Sequence, residues 1–379
     1  MMNNTKFMLS LVAAAVSMSG FAAHADTQED GLKFGGSVRV NYKYVEYDEA
    51  NRNKGGDFAF DVLTAKISGK HGDFGMEAEY RIVSGDNFIR YGYGYYNIDE
   101  HQQVQVGISR VPFGNPDYIS NSWWLSLGYY LGFEDDFDTG IKWSYARDGW
   151  NTDAAFYKAP EFSSSIAGRY APDIYNGEAN GSQYHNEESN QFNLRQTYTW
   201  SYDHGRTMLG ASAQYGQIES TDTTTGVKAD GDRVAAAIHL DTLYQGWNLQ
   251  LQALHYEYSP ELGPDTGAIA MAVSGSSYEV ALKGQVYTMN VSKAFNTSYG
   301  AMKIYNDYSV MTPDSDKPDF SNSYQNVTGA TLNNGPISLQ LDFIMGKNMV
   351  MSTTNNHIGM TPGDNSWEHR VNFNIGYNF

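Results

Sequence analysis

Residues 367–379 alternate almost without fault, and no other stretch limits the fold as severely. Trp367, Val371, Phe373, Ile375, Tyr377 and Phe379 share one face, interrupted only by His369, while Glu368, Arg370, Asn372, Asn374, Gly376 and Asn378 share the other. A period of two with one greasy and one wet face describes a strand lying between an apolar phase and water. The last strand of a soluble sandwich would be expected to run on into polar residues, whereas this one ends on Phe379. If the final strand pairs with the first, no open edge is left in lipid, which is the requirement for a sheet in a membrane. The expectation is a transmembrane β-barrel, with a secreted all-β domain as the soluble alternative.

The opposite end carries Lys6, an apolar stretch over 7–16 and small residues up to Ala23-His24-Ala25. This pattern predicts a secretory signal peptide, 1–25, cut after Ala25. The apolar part is short and interrupted by Ser10, Ser17 and Ser19, unlike a spanning helix. Residues 26–379 then form one domain. The 29 Tyr, 18 Phe and 7 Trp suit interfacial girdles, and the absence of cysteine rules out a disulfide framework in an exported chain. A formal charge of −18 argues against nucleic acid as a partner. Acid-rich outer loops would either share divalent cations with lipopolysaccharide or simply stay solvated.

Alternation recurs along the chain. Phe34, Val38, Val40, Tyr42 and Tyr44 oppose Lys33, Ser37, Arg39, Asn41 and Lys43, and Phe74, Met76, Ala78, Tyr80 and Ile82 oppose Glu77, Glu79 and Arg81. Further strands are expected around 58–70, 88–98, 104–108, 139–146 and 150–158, then as hairpins 191–201 with 207–218, 232–242 with 247–258, 278–292 with 299–310, and 324–332 with 337–347. The count is about sixteen antiparallel strands, with short turns at one end and mostly long loops at the other. Such a barrel encloses water rather than a packed core.

Two features bear on a passage. The loop 110–138 opens with Pro112, Gly114 and Pro116, closes on Glu134-Asp135-Asp136-Phe137-Asp138, and carries the run from Trp123 to Leu131 between them. That run is too apolar to hang in water, so the loop is expected to fold inward as a constriction. Arg110, Trp123, Trp124, Glu134, Asp135, Asp136 and Asp138 would line it. Facing them, the inward register carries Arg39, Lys66, Arg81, Arg90, Lys142, Arg195, Arg233 and Arg370. A field between acids and bases favours hydrated polar solutes. Each arginine has a wall-pairing alternative, and the tryptophans a girdle or subunit-contact alternative.

Gly107-Ile108-Ser109-Arg110-Val111-Pro112-Phe113-Gly114 resembles the strand-to-loop junction of the phosphate-selective porin O and P family. Ala65 to Phe74 is similar to that family's early hairpin, and the likeness continues through Gly140-Ile141-Lys142-Trp143, covering residues 58–143 in all. The resemblance implies a sixteen-stranded, homotrimeric channel with lysines at its constriction, where this chain has Arg110 followed by acids. The terminal Phe379 also resembles the signal that outer-membrane proteins present to their barrel assembly machinery, and therefore implies a bacterial outer-membrane location.

The function expected is passive diffusion of small hydrophilic solutes and ions, with no catalysis, cofactor or metal. The alternatives are a sugar channel guided by Trp123, Trp124, Tyr129 and Tyr130, a channel for phosphate-like anions, and a plugged adhesin. His71, His101, His185, His204, His239, His255, His357 and His369 show no spacing with a nucleophile, and His185-Asn186-Glu187-Glu188 reads as a solvated loop rather than a metal site.

Overall fold

The computed structural model describes residues 30–115, 119–222, 225–361 and 366–379, so the expected leader and Pro116 lie outside it. Sixteen strands hydrogen-bond in chain order into one closed antiparallel barrel. They are Gly31–Val45, Asp57–His71, Phe74–Val83, Asp86–Asn97, Gln102–Arg110, Phe137–Arg147, Trp150–Pro160, Asn186–Tyr202, Gly205–Thr221, Lys228–Tyr244, Trp247–Ser259, Lys283–Thr297, Gly300–Pro313, Ser323–Asn334, Ile337–Lys347 and Trp367–Asn378, named below by ordinal. The first and sixteenth pair from Ser37 opposite Asn378 to Val45 opposite Arg370, which removes the last free edge.

At the seam, the Gly36 and Phe379 backbones exchange hydrogen bonds of 2.9 and 3.0 Å. A Cβ on Gly36 would lie 2.2 Å from the Thr64 carbonyl oxygen and 2.8 Å from the Phe379 ring. Gly36→Val is therefore expected to lower the yield of closed barrel sharply, read as loss of the compact, heat-modifiable band on a denaturing gel.

Turn chemistry sets the two ends apart. Asp148-Gly149 and Gln245-Gly246 take positive φ at both positions, the left-handed pair that matches the twist of a tight hairpin. Around these short turns Trp150, Trp200, Tyr202, Tyr244, Trp247, Phe295 and Tyr299 stay exposed on the outside as an aromatic girdle. Above it, exposed Phe192, Leu194, Leu209, Ile238, Met289 and Leu341 form the lipid-facing band. The strands reach 17 residues on the eighth to tenth, so they project well beyond the hydrocarbon.

One expected strand, 278–292, proves to be two. Ser276–Ala281 leaves the wall and pairs with Ala268–Val273, and the barrel strand begins at Lys283. This hairpin joins Asp173–Ile174 and His357–Ile358 in a four-stranded sheet made wholly of long-loop residues. Both of its longer strands are buried on both faces, so they lack alternation. A contiguous apolar core follows, in which Ile269, Met271, Tyr278, Val280 and Ile358 meet Leu127, Leu131 and Phe133 of the inward loop and Tyr256 and Tyr258 of the wall.

A lumen partly filled by loops

The loop between the fifth and sixth strands enters the barrel at Gly114, whose φ of +68° any side chain would strain. The Gly114 N–H donates to Ser212 Oγ at 3.0 Å, and its carbonyl accepts from Arg195 Nε at 2.8 Å. A Cβ there would fall 2.5 Å from Gln252 Oε1. The next N–H, of Asn115, donates to that same oxygen at 3.0 Å. Gly114→Val is expected to unseat the loop's entry while leaving the sheet intact, seen as unsteady channel current with unchanged circular dichroism.

Farther on, the Asn121 and Ser122 N–H groups each donate to Asp307 Oδ2 at 2.8 Å, and Gln325 Nε2 donates to the Trp124 and Leu125 carbonyls at 3.1 and 2.8 Å. Tyr258 and Tyr278 hydroxyls donate to the Leu131 and Tyr130 carbonyls at 2.6 and 2.8 Å. The loop is thus sewn to the inner wall from the eighth strand to the fourteenth. Its Leu125, Leu127, Tyr129, Tyr130, Leu131 and Phe133 are buried there, each contributing roughly 1.5–3 kcal/mol of apolar burial.

The acids at the loop's end do not face open water, contrary to the expectation from sequence. Glu134, Asp135, Asp136 and Asp138 are all buried. Glu134 turns into the loop, accepting from Ser120 Oγ at 2.9 Å and from the Ser126 N–H at 3.0 Å, with the Ser126 hydroxyl also donating to it. Asp135 takes Arg90, the Tyr170 hydroxyl and, at 2.9 Å, Arg110 Nη2. Asp136 and Asp138 point the other way, toward Asp173 of the next long loop. A run of acids expected to line the constriction is instead the loop's fastening, each carboxylate accepting at least one hydrogen bond from the wall or its neighbours.

Burial pushes the Glu134 carboxyl up to about 7 against the lowering effect of its serine donors. A carboxyl raised on folding favours the protonated state. Its contribution is complete below the ordinary glutamate range and is lost as pH climbs through about 7. The thermal midpoint should fall from pH 5 to pH 8, and Glu134→Gln should flatten that part of the profile.

The opposite sector is the open one. Lys66, Arg81 and Arg90 converge on Glu79, with Lys66 Nζ, Arg81 Nε and Arg90 Nη1 at 3.4, 2.6 and 3.6 Å from its oxygens. The Glu79 side chain is fully covered, while those of Lys66 and Arg81 keep 55% and 23% of their exposure. Arg39 pairs with Asp61 and still keeps 20%. Guanidinium groups also cap aromatic rings: Arg39 lies 3.2 Å from the centre of Trp123, Arg370 4.3 Å from Trp124, and Arg81 and Arg90 4.7 and 4.6 Å from Tyr170.

The expected basic set therefore divides by what the loop covers. Arg39, Lys66, Arg81 and Arg370, together with Arg110, stand in the uncovered sector, with Arg90 buried beneath them against Glu79 and Asp135. Arg195 and Arg233 are buried, Arg195 against Gly114 and Asp153 and Arg233 against Glu188 at 2.7 Å. Lys142 Nζ donates to the Arg110 carbonyl at 3.0 Å and supports the loop's start. Of the two tryptophans, Trp123 is 45% exposed, whereas Trp124 packs against Tyr305, Val327 and Ile344. Sequence reasoning missed Tyr170, which lies in an aperiodic polar loop, and gave no role to Glu79, although its register was legible.

No family model matches the chain, and no curated protein matches it in sequence, so the resemblance to the porin O and P family stays without support at that level. Solved structures do match over nearly the whole chain. One is OmpT, an outer membrane protein of Vibrio cholerae in trimer form, with a TM-score of 0.60, 9% identity, and coverage of 92% of this chain and 99% of that one. A second is the outer membrane channel DcaP of Acinetobacter baumannii, at 0.58, 12%, 93% and 98%. A third is an anion-selective porin from Comamonas acidovorans, at 0.57, 14%, 93% and 100%. At these identities the likeness is one of fold. With its closed even-stranded wall and lipid-facing band, the chain is a bacterial outer-membrane β-barrel with the porin fold.

Proposed function

We propose that the chain is an outer-membrane porin for passive diffusion of small hydrophilic solutes, with a preference for anions. The observation that carries this is the unequal exposure of the two signs. Arg39, Lys66 and Arg81 retain access to water, whereas Glu79 and Asp135 have side chains 0% and 1% exposed. Asp61, the partner of Arg39, keeps 30% of its side-chain exposure, so the asymmetry rests on Lys66 and Arg81 over the covered Glu79, and a wall that shows those cations raises local anion concentration. The passage runs between that wall and the inward loop, with Trp123 and Tyr170 as the aromatic surface beside it. A homotrimer is the assembly we favour, as the trimer form of the OmpT neighbour supports.

A sugar slide needs a bare aromatic face. Here one face of each tryptophan is stacked by a guanidinium, which favours anions over oligosaccharides. The deciding experiment is single-channel recording in a planar bilayer under a salt gradient. A reversal potential of anion sign, with conductance in steps of three, supports the reading. Saturable oligosaccharide block that disappears in Trp124→Ala would replace it with a sugar channel, and no conductance would leave a scaffold or adhesin.

A further inference from the structure

Behind the inward loop, four carboxylates meet in a space that water does not reach. Asp136 precedes the sixth strand and Asp138 lies at its start, Glu161 follows the seventh, and Asp173 lies in the loop sheet, and all four are buried. Ligand oxygens of Asp136, Asp138 and Asp173 all fall within 4.8 Å of one another.

Each aspartate is held from behind by one oxygen. Asp136 Oδ1 accepts the Phe137 N–H at 2.8 Å, Asp138 Oδ2 accepts Gln191 Nε2 at 3.0 Å, and Asp173 Oδ2 takes Arg169 Nη1 at 2.7 Å. The other oxygens, Asp136 Oδ2, Asp138 Oδ1 and Asp173 Oδ1, are buried and accept no hydrogen bond, and neither oxygen of Glu161 accepts one. Glu161 lies against Asp173, and Arg169 Nε stands 3.8 Å from it. Nearby Arg233 pairs with Glu188 at 2.7 Å, while its Nε and Nη2, like Arg169 Nε, make no hydrogen bond, so two guanidinium groups stand beside five carboxylates, Glu188 included.

A buried carboxylate left without donors is costly, and several converging are untenable unless a cation or shared protons offset them. The geometry favours the cation. Carboxylates each anchored through one oxygen, with the second left unpaired and a ligand oxygen of every one within 4.8 Å of the others, are arranged as metal ligands held by an outer shell are. Calcium takes six to eight oxygens at about 2.3–2.6 Å, so oxygens on opposite sides of one ion stand about 4.8 Å apart. All-oxygen, carboxylate-rich donors suit a hard cation rather than zinc or copper.

We propose that Asp136, Asp138 and Asp173, with Glu161 beside them, bind one calcium-type divalent cation that clamps the inward loop to the following long loop. The reading does not depend on the solute preference argued above, since the site lies behind the loop and not in the passage. It gives part of the chain's acidity a local use that no spacing in the sequence reveals.

The test uses the full-length protein, refolded in detergent without lipopolysaccharide, stripped with EDTA and titrated with calcium chloride by calorimetry. The expected result is one calcium per chain, with affinity lowered at least tenfold in Asp173→Asn and in Glu161→Gln, and unchanged in Asp342→Asn, a buried acid elsewhere. Calcium should also slow hydrogen exchange of residues 161–185 in the wild type and not in Asp173→Asn. Retained heat-modifiable migration shows that each variant is folded. Absence of stoichiometric calcium binding in the stripped wild type would overturn the proposal in favour of shared protons, and so would equal affinity in folded Asp173→Asn.

Discussion

Replacing Arg39, Lys66 and Arg81 together by glutamine is expected to turn the proposed anion preference into a preference for cations. The uncovered sector, together with Arg90 beneath it, sets Arg39, Lys66, Arg81, Arg110 and Arg370 against Asp61, Glu77, Glu79 and Asp135, and the triple change converts an excess of cations into an excess of carboxylates. A unit charge about 7 Å from a permeating ion contributes roughly 0.6 kcal/mol in a water-like medium. Three of them sum to about 2 kcal/mol, more than tenfold in relative permeability before screening. Ions at 0.1 M screen over about 10 Å, so the effect should be larger in dilute salt. Glutamine keeps polar contacts to Asp61 and Glu79, and lumen substitutions leave the lipid face untouched. The reversal potential under a salt gradient is the readout. An unchanged sign would mean that the narrowest section lies away from this wall.

Asp135→Ala is the second large effect. The carboxylate receives Arg90, Arg110 and the Tyr170 hydroxyl, and its loss leaves a buried guanidinium with its remaining partner Glu79 only at 3.6 Å. Removing one member of a buried pair costs about 3–5 kcal/mol. The cost falls on the loop's seat rather than on the barrel, whose ladder is untouched. Loop opening should therefore become frequent, giving wider and noisier conductance and new protease cleavage within 119–136. A double variant, Asp135→Ala with Arg90→Gln, should recover part of the loss because it removes the stranded charge. If both variants behave alike, the pair does not hold the loop.

The barrel was legible because alternation survives wherever one face meets lipid, and Trp367 to Asn378 shows it most clearly. The hairpin of Ala268–Val273 and Ser276–Ala281 was not, because a strand enclosed on both faces loses its period. Inward register identified Arg39 and Arg233 equally well. Yet Arg39 faces water and Arg233 is buried against Glu188, since period two tells side from side and not which sector a loop will cover. The acids from Glu134 to Asp138 misled for a related reason: charge in a sequence predicts solvent, and only the fold brings Arg90, Arg110, Ser120 and Ser126 to meet them.

The apolar core shared by the long loops has a consequence for how the molecule is made. Its members include Val111, Phe113 and Leu125 to Phe133 of the inward loop, Ile269 to Ala281 and Met349 to Ile358, and they rest on Tyr256 and Tyr258 of the wall, so no short segment can assemble it alone. Contacts so distant along the chain carry a large loop-closure cost and form only when the intervening strands have been brought together. During transit to the membrane those same tyrosines, leucines and methionines are unsheltered and sticky. The surface most prone to aggregate before the wall is assembled is therefore one that the finished molecule hides.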